Sequence, residues 1–436
     1  MRVTLGTSTY NEAVDWLFKV RRLGPDRTLE PIDRLVGLLG NPQKKFRSIH
    51  VTGTNGKGST CAMIASILRA AGYSVGLFTS PHLDCFTERI VVDGEEISEG
   101  TIVRLVSKIR PLIEKLDEEP ERVRPLFFDI VTALAFEYFA ERKVDFAVLE
   151  VGMGGRLDAT NVIQPLISII TNISLEHTQV LGDTILKIAY EKAGIIKPNS
   201  VLVTATQDDA VYALFKETCQ RLNTDIYRVG KEISFKKINS DLKGQSFTVE
   251  GLKGNYTLYT RLLGGFQLYN AATAVGTIEA LSRYNFNVPK SAITNGLAHV
   301  SWPGRLEVMQ ESPLVVLDSA KDAEAMKALA EAIKDLPHRR LNAVISISSD
   351  KNIPLMIAYL APVVDRFIVT SHTVMGRAAE RTRIGAEIKK HGKHWESIEN
   401  VKEAVNKALH QSRRGDMVLV TGSVFAVGEA RRKWVK

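Results

Sequence analysis

The stretch Ile49-His50-Val51-Thr52-Gly53-Thr54-Asn55-Gly56-Lys57-Gly58-Ser59-Thr60 decides how this chain is read. It runs from a strand into a glycine-rich turn and on into a helix. Glycines let backbone amides approach an anion's oxygens, the helix start adds its dipole, and Lys57 supplies a positive charge for terminal phosphates. The spacing departs from the usual phosphate-binding turn, because Gly58 stands where a hydroxyl residue normally follows the lysine. A metal-binding hydroxyl is therefore expected from elsewhere in the chain. The plainer alternative is a tight turn with an exposed lysine, which the strand-turn-helix context disfavours.

Outward from this turn, residues 46–205 alternate short apolar runs with helical patterns, the mark of a mostly parallel α/β sheet. The spacing predicts strands at 47–52, 74–79, 145–151, 166–172 and 200–204, with helices at 59–71, 99–116 and 126–142. Residues 225–263 change character: Ser246-Phe247-Thr248-Val249 alternates between glycine breaks, which predicts a small antiparallel patch. Helices at about 267–284 and 289–299 follow. Ser301-Trp302-Pro303-Gly304 breaks helical structure, making 301–305 a candidate hinge between a domain over 1–300 and a second, smaller Rossmann-like α/β domain over 306–436. Strands there are expected at 306–317, 341–347, 365–370 and 416–421, with helices near 322–335, 352–360, 376–390, 398–410 and 424–433.

Composition removes other classes. At 436 residues the chain exceeds one ordinary core, and 44% hydrophobic with 24% charged residues is globular rather than disordered or fibrous. No apolar run approaches the roughly 20 residues needed to cross a bilayer. Met1-Arg2-Val3-Thr4-Leu5-Gly6 carries no export signal, so the cytoplasm is the expected compartment. Cys61, Cys85 and Cys219 are scattered and odd in number, which argues against a disulfide framework or a zinc cluster. A net charge of +8 attracts anions of any kind, but the basic residues are spread along the chain and 7% aromatics give no nucleic-acid motif. Neither a nucleic acid nor a membrane is expected as a partner.

Candidate chemistry gathers where strands end, since open α/β sheets bind ligands outside the carboxyl ends of their strands. Glu150 ends Asp145-Phe146-Ala147-Val148-Leu149 and precedes Gly152-Met153-Gly154-Gly155, so its carboxylate is either a magnesium ligand or a solvated loop acid. His177 reads as a second metal ligand, a base, or a structural hydrogen-bonding residue. Lys192 in Tyr190-Glu191-Lys192-Ala193-Gly194 has an exposed helical lysine as its bland reading. Thr79-Ser80-Pro81-His82-Leu83 suits a loop over the same crevice.

Taken in order, these motifs resemble the folylpolyglutamate synthase and dihydrofolate synthase family of the Mur ligase superfamily. The resemblance rests on the turn at 53–59, on Thr-Ser-Pro-His-Leu, on Glu88-Arg89-Ile90, on Glu150 through Arg156-Leu-Asp-Ala-Thr-Asn161 and on Glu176-His177-Thr178. It continues through Glu191-Lys-Ala-Gly-Ile-Ile-Lys197 and Trp302-Pro-Gly-Arg-Leu-Glu307 to Ser349-Asp350-Lys351-Asn352 and Thr421-Gly422-Ser423. It implies that Gly53, Thr54, Asn55, Gly56, Lys57, Gly58, Ser59 and Thr60 wrap the phosphates of ATP. It also implies that Ser80, Glu150 and His177 hold magnesium, two ions being expected, and that Lys192 is carbamylated. Asn270 matches an adenine-contacting position, Arg305 an arginine that reaches the phosphates, and the loop with Pro81, His82 and Arg89 a pterin-binding segment. On that basis residues 1–300 bind ATP and a pterin, and 306–436 bind the amino acid.

Two departures qualify the match. The family's Asp-Gly-Ala-His-Asn reads here Asp318-Ser319-Ala320-Lys321-Asp322, which keeps Asp318 for the nucleotide, offers Lys321 to phosphate and adds an acid unfavourable to an incoming glutamate. Phe266 replaces a histidine before Gln267. The expected activity is an ADP-forming ligase joining L-glutamate to a folate or related pterin, in a monomer that closes about 301–305 to bring Arg305, Asp318 and Lys321 onto the nucleotide. A ligase with a non-standard acceptor or amino acid and an ATP-binding regulatory protein without ligation are the rivals.

Overall fold

A strand covered on both faces must be apolar almost throughout, and β1 (Arg47–Thr52) is buried from Ser48 onward. The computed structural model describes residues 9–21, 28–118 and 124–435; the N-terminal hexapeptide read for an export signal lies outside them. The chain divides into two compact units. The first comprises Met1–Phe235, Val249–Tyr256 and Tyr269–Leu297, the second Lys236–Thr248, Thr257–Leu268 and Ala298–Lys436.

In the first unit β1 is joined by β2 (Val75–Phe78), β3 (Ile90–Val92), β4 (Glu95–Glu96), β5 (Phe146–Glu150), β6 (Ile167–Ile170), β7 (Val201–Thr204) and β8 (Asp225–Arg228). Among the described residues they form one sheet in the order β4-β3-β2-β5-β1-β6-β7-β8. Only the β3 and β4 edge runs antiparallel. β1 lies between β5 and β6, with Val51 beside Glu150 and Thr52 beside Ile170, so the turn after β1 and the acid ending β5 emerge at one sheet edge. The helix Phe127–Arg142 is apolar nearly all round and accordingly buried against this sheet's core, where Phe78, Phe136 and Phe139 pack.

Two expectations need correction. The irregular region begins with β8, which adds to the main sheet in parallel beside β7 rather than starting the antiparallel patch. The patch itself is the three strands β9 (Ser234–Asp241), β10 (Gly244–Glu250) and β11 (Asn255–Thr260), whose links are too short for a parallel crossover. The single strand expected over 306–317 is a hairpin, β12 (Glu307–Glu311) and β13 (Leu314–Leu317), because the turn falls at Ser312-Pro313 and proline has no N–H for a ladder.

The second unit's sheet also holds β14 (Leu341–Ile345), β15 (Arg366–Val369), β16 (His394–Ser397) and β17 (Met417–Thr421). The order is β12-β13-β17-β14-β15-β16, parallel except for β12. None of Cys61, Cys85 and Cys219 forms a disulfide. Among the described residues no helix is long and apolar enough to cross a membrane.

Candidate active site

The turn between β1 and the helix Lys57–Ala70 is fixed from the side of β6. The Thr54 amide donates to Asn172 O at 2.9 Å and the Asn55 amide to Asn172 Oδ1 at 2.8 Å. In return Thr171 Oγ1 donates to Asn55 O at 2.6 Å, and the Ser174 amide to Thr54 Oγ1 at 3.0 Å. Gly53 and Gly56 have φ of 146° and 82°, and a Cβ on either would overlap Thr171 Oγ1 or Asn270 Oδ1. Both the backbone and the space therefore demand glycine. The first-turn amides of a helix lack intrahelical acceptors, so this turn presents donors to an anion. Lys57 folds over the turn, donating to Gly53 O at 3.2 Å and Thr54 O at 3.1 Å.

Glu150 is buried at the end of β5, and its Oε2 accepts the Ser80 amide at 3.0 Å. Strand adjacency thus brings the acid and the Ser80 loop together. Burial, reinforced by the Glu150 carboxylate and opposed by Lys57, pushes the Cys61 thiol well above its usual range. Lys192 is not the exposed helical lysine of the bland reading: it is 4% exposed, and its Nζ donates to Gly53 O at 2.7 Å. His177 stands at φ 53° before the short helix Thr178–Leu181, with Nε2 3.6 Å from Glu176 Oε1. Among the described residues no group of three or more histidine, cysteine, aspartate and glutamate side chains is arranged to hold a metal ion. Magnesium ordinarily takes only one or two carboxylates and completes its shell with water and phosphate oxygens, so a buried Glu150 beside Ser80 fits that donor set.

The 80–89 loop is organised by its own acid. Glu88 accepts the amides of Leu83, Asp84 and Cys85 at 2.6, 2.8 and 2.7 Å. Arg89 is buried, donates from Nε to His82 Nδ1 at 2.8 Å and lies over the rings of Phe86 and Phe127. That bond assigns the His82 proton to Nε2. Pro81 is exposed and His82 half-buried, so these two, rather than Arg89, face outward from the loop.

Arg305, Asp318 and Lys321 lie in the second unit. Asp318 accepts the amides of Leu306 and Ala320 at 2.9 and 2.8 Å, and burial raises its pKa against the opposing pull of Arg305 and of those amides. Asp322 Oδ1 accepts the Ala325 amide at 2.9 Å and caps the helix Ala323–Ile333. Sequence reasoning missed Thr171 and Asn172, whose signal was a polar pair directly after an apolar strand neighbouring β1.

Residues 51–278 match the Mur ligase middle domain and residues 304–424 the Mur ligase glutamate ligase domain, which makes the protein an ATP-dependent acid-amino-acid ligase by class. The dihydrofolate synthase/folylpolyglutamate synthase of Bacillus subtilis is 36% identical over 447 aligned residues, covering 98% of this chain and 99% of that one. The folylpolyglutamate synthase of Mycobacterium tuberculosis complexed with ADP superposes with a TM-score of 0.92 at 33% identity, over 98% of each chain. Escherichia coli FolC in complex with DHPP and ADP gives 0.87 at 30% identity, over 98% of this chain and 97% of that. The chain belongs to the folylpolyglutamate synthase/dihydrofolate synthase family.

Proposed function

We propose that the protein joins the amine of L-glutamate to a carboxylate of a folate-type pterin, converting ATP to ADP and phosphate. The observation that carries this reading is the turn at 53–59, a donor-lined anion cradle with Lys57 across it and Glu150 on the adjacent strand. Relatives matched end to end and solved with ADP, or with DHPP and ADP, support it. A carboxylate is a poor electrophile because its charge repels an amine and oxide is a hopeless leaving group. Its oxygen attacks the γ-phosphorus of ATP, ADP departs, and the first-turn amides and Lys57 stabilise the charge on the transferring phosphoryl group. The glutamate nitrogen then attacks the acyl phosphate carbon. The tetrahedral intermediate loses a proton from nitrogen, expels phosphate and leaves an amide.

Ser80, Glu150 and His177 would hold magnesium, which when bound neutralises phosphate charge. Carbamylation of Lys192 would add a carbamate while leaving one N–H for Gly53 O, so it is compatible with that hydrogen bond. We assign Asn270 to adenine, Arg305, Asp318 and Lys321 to the nucleotide, and Pro81 and His82 to the pterin. Asparagine and aspartate are comparable helix caps, so the capping by Asp322 explains that departure without invoking an unusual amino-acid substrate.

The test is phosphate release with ATP and magnesium across a panel of pterin carboxylates, each with and without amino acids. Release that needs both a pterin and glutamate is expected. ATP binding with no turnover on any pair would leave a regulatory protein instead.

A further inference from the structure

The motifs ending in Asn161 and Lys197 contain more residues than the chemistry above employs, and the structure shows what joins them. Lys192 lies in the last turn of the helix Ile185–Ala193, so the place of its Nζ on Gly53 O depends on how that helix end is docked. Carbonyls at a helix C-terminus lack intrahelical donors and must find them elsewhere. Asn161 supplies one. Its Nδ2 donates to Gly194 O at 3.1 Å, directly after the helix, and to Arg156 O at 3.0 Å, in the loop that follows Glu150. The Asn161 backbone carbonyl accepts Lys197 Nζ at 3.1 Å.

The two segments lie backbone on backbone at this joint. The Arg156 amide donates to Glu191 O at 2.8 Å, its guanidinium pairs with Glu191 Oε1 at 2.9 Å, and a Cβ on Gly194 would overlap Arg156. The loop is tied in turn to β1, where Thr52 Oγ1 donates to Gly154 O at 2.6 Å. Asn161 is 4% exposed, and its Oδ1 is buried without a hydrogen-bond partner among the described residues. The contact this side chain makes is the double donation from Nδ2, which joins the two segments through their carbonyls.

We propose that Asn161 is a positioning residue for the ligase reaction, clamping the end of the Lys192 helix to the loop after Glu150 and thereby holding Lys192 on the phosphate turn. It rests on the function proposed above and deepens it. Asn161→Asp is the informative variant, since it keeps the shape and turns the double donor into an acceptor facing two carbonyls. Asn161→Ser, which keeps one donor, serves if the aspartate variant does not fold.

Turnover is measured per ADP-binding site by calorimetric titration, and the variant's crystal structure is determined. A loss of about 10- to 100-fold in kcat, with ADP affinity within about threefold, is expected. Lys192 Nζ should then be out of hydrogen-bonding reach of Gly53 O. Unchanged kcat per site, or a loss with Lys192 still on Gly53 O, overturns the proposal. Wild-type protein without glutamate-dependent phosphate release would instead show that the functional reading itself is wrong.

Discussion

Lys57 and Glu150 make the sharpest predictions because each is placed by the sheet edge rather than by a core. Replacing either with alanine is expected to lower kcat by at least about 100-fold, as loss of one preorganised electrostatic contact does, while the melting temperature stays within a few degrees. Near-normal turnover in either variant would remove that residue from the site. Gly56→Ala carries a different expectation: its Cβ meets Asn270 Oδ1 and its φ is 82°, so nucleotide affinity should fall with the turn's geometry, read by ADP titration. Lys57 and Glu150 were legible in the sequence because glycines and a strand end announce them. The burial of Lys192 was not. On its helix Leu186 and Tyr190 are exposed while the lysine points inward, an inversion of amphipathic patterning that periodicity reads backwards.

At the scale of elements, β1 shows how a strand feeding the site is itself secured. His50 Nε2 lies 2.8 Å from Thr160 Oγ1, and Thr160 donates to Asp158 Oδ1 at 2.6 Å, so the imidazole proton resides on Nε2. Burial first, then Lys197, pushes the His50 pKa down to about 3. Because the folded pKa lies below the unfolded one, the unfolded chain takes up the proton first. Stability from this residue is therefore present above about pH 6.5 and lost as pH falls toward 3. Urea titrations of wild type and His50→Gln from pH 7 to 4 should differ in slope by roughly 1 kcal/mol per pH unit, and identical slopes would refute the assignment.

Asp322→Asn should leave both stability and glutamate selectivity unchanged, whereas Asp322→Ala should cost about 1 kcal/mol through the lost cap. A selectivity change in the asparagine variant would revive the non-standard amino acid. The interior parallel strands of both units were legible because buried strands are continuous apolar runs, whereas the half-buried parallel edge strand β8 was read as part of the antiparallel patch. β16, His394-Trp395-Glu396-Ser397, escaped because an edge strand need not be apolar.

At the scale of the whole molecule, among the described residues each of the two units packs apolar side chains of its own. The first unit gathers Phe78, Phe136, Phe139 and Phe146's neighbours Ala147 and Leu149, the second Val316, Leu341, Ile345, Phe367 and Leu419. Separate cores permit separate unfolding, so a calorimetric scan should resolve two transitions. The phosphate turn belongs to the first unit, and a ligand that binds only the folded form at 100 times its Kd stabilises by about 3 kcal/mol. ADP with magnesium should therefore raise the first unit's transition, and omitting magnesium should shrink that shift. The assignment of Arg305, Asp318 and Lys321 to the nucleotide demands more. It requires ADP to move the second unit's transition as well, and Arg305→Ala to reduce that second shift while sparing the first. A second transition indifferent to ADP in the wild-type chain would strike those three residues from the nucleotide site and leave the turn, Glu150 and Lys192 to carry it alone.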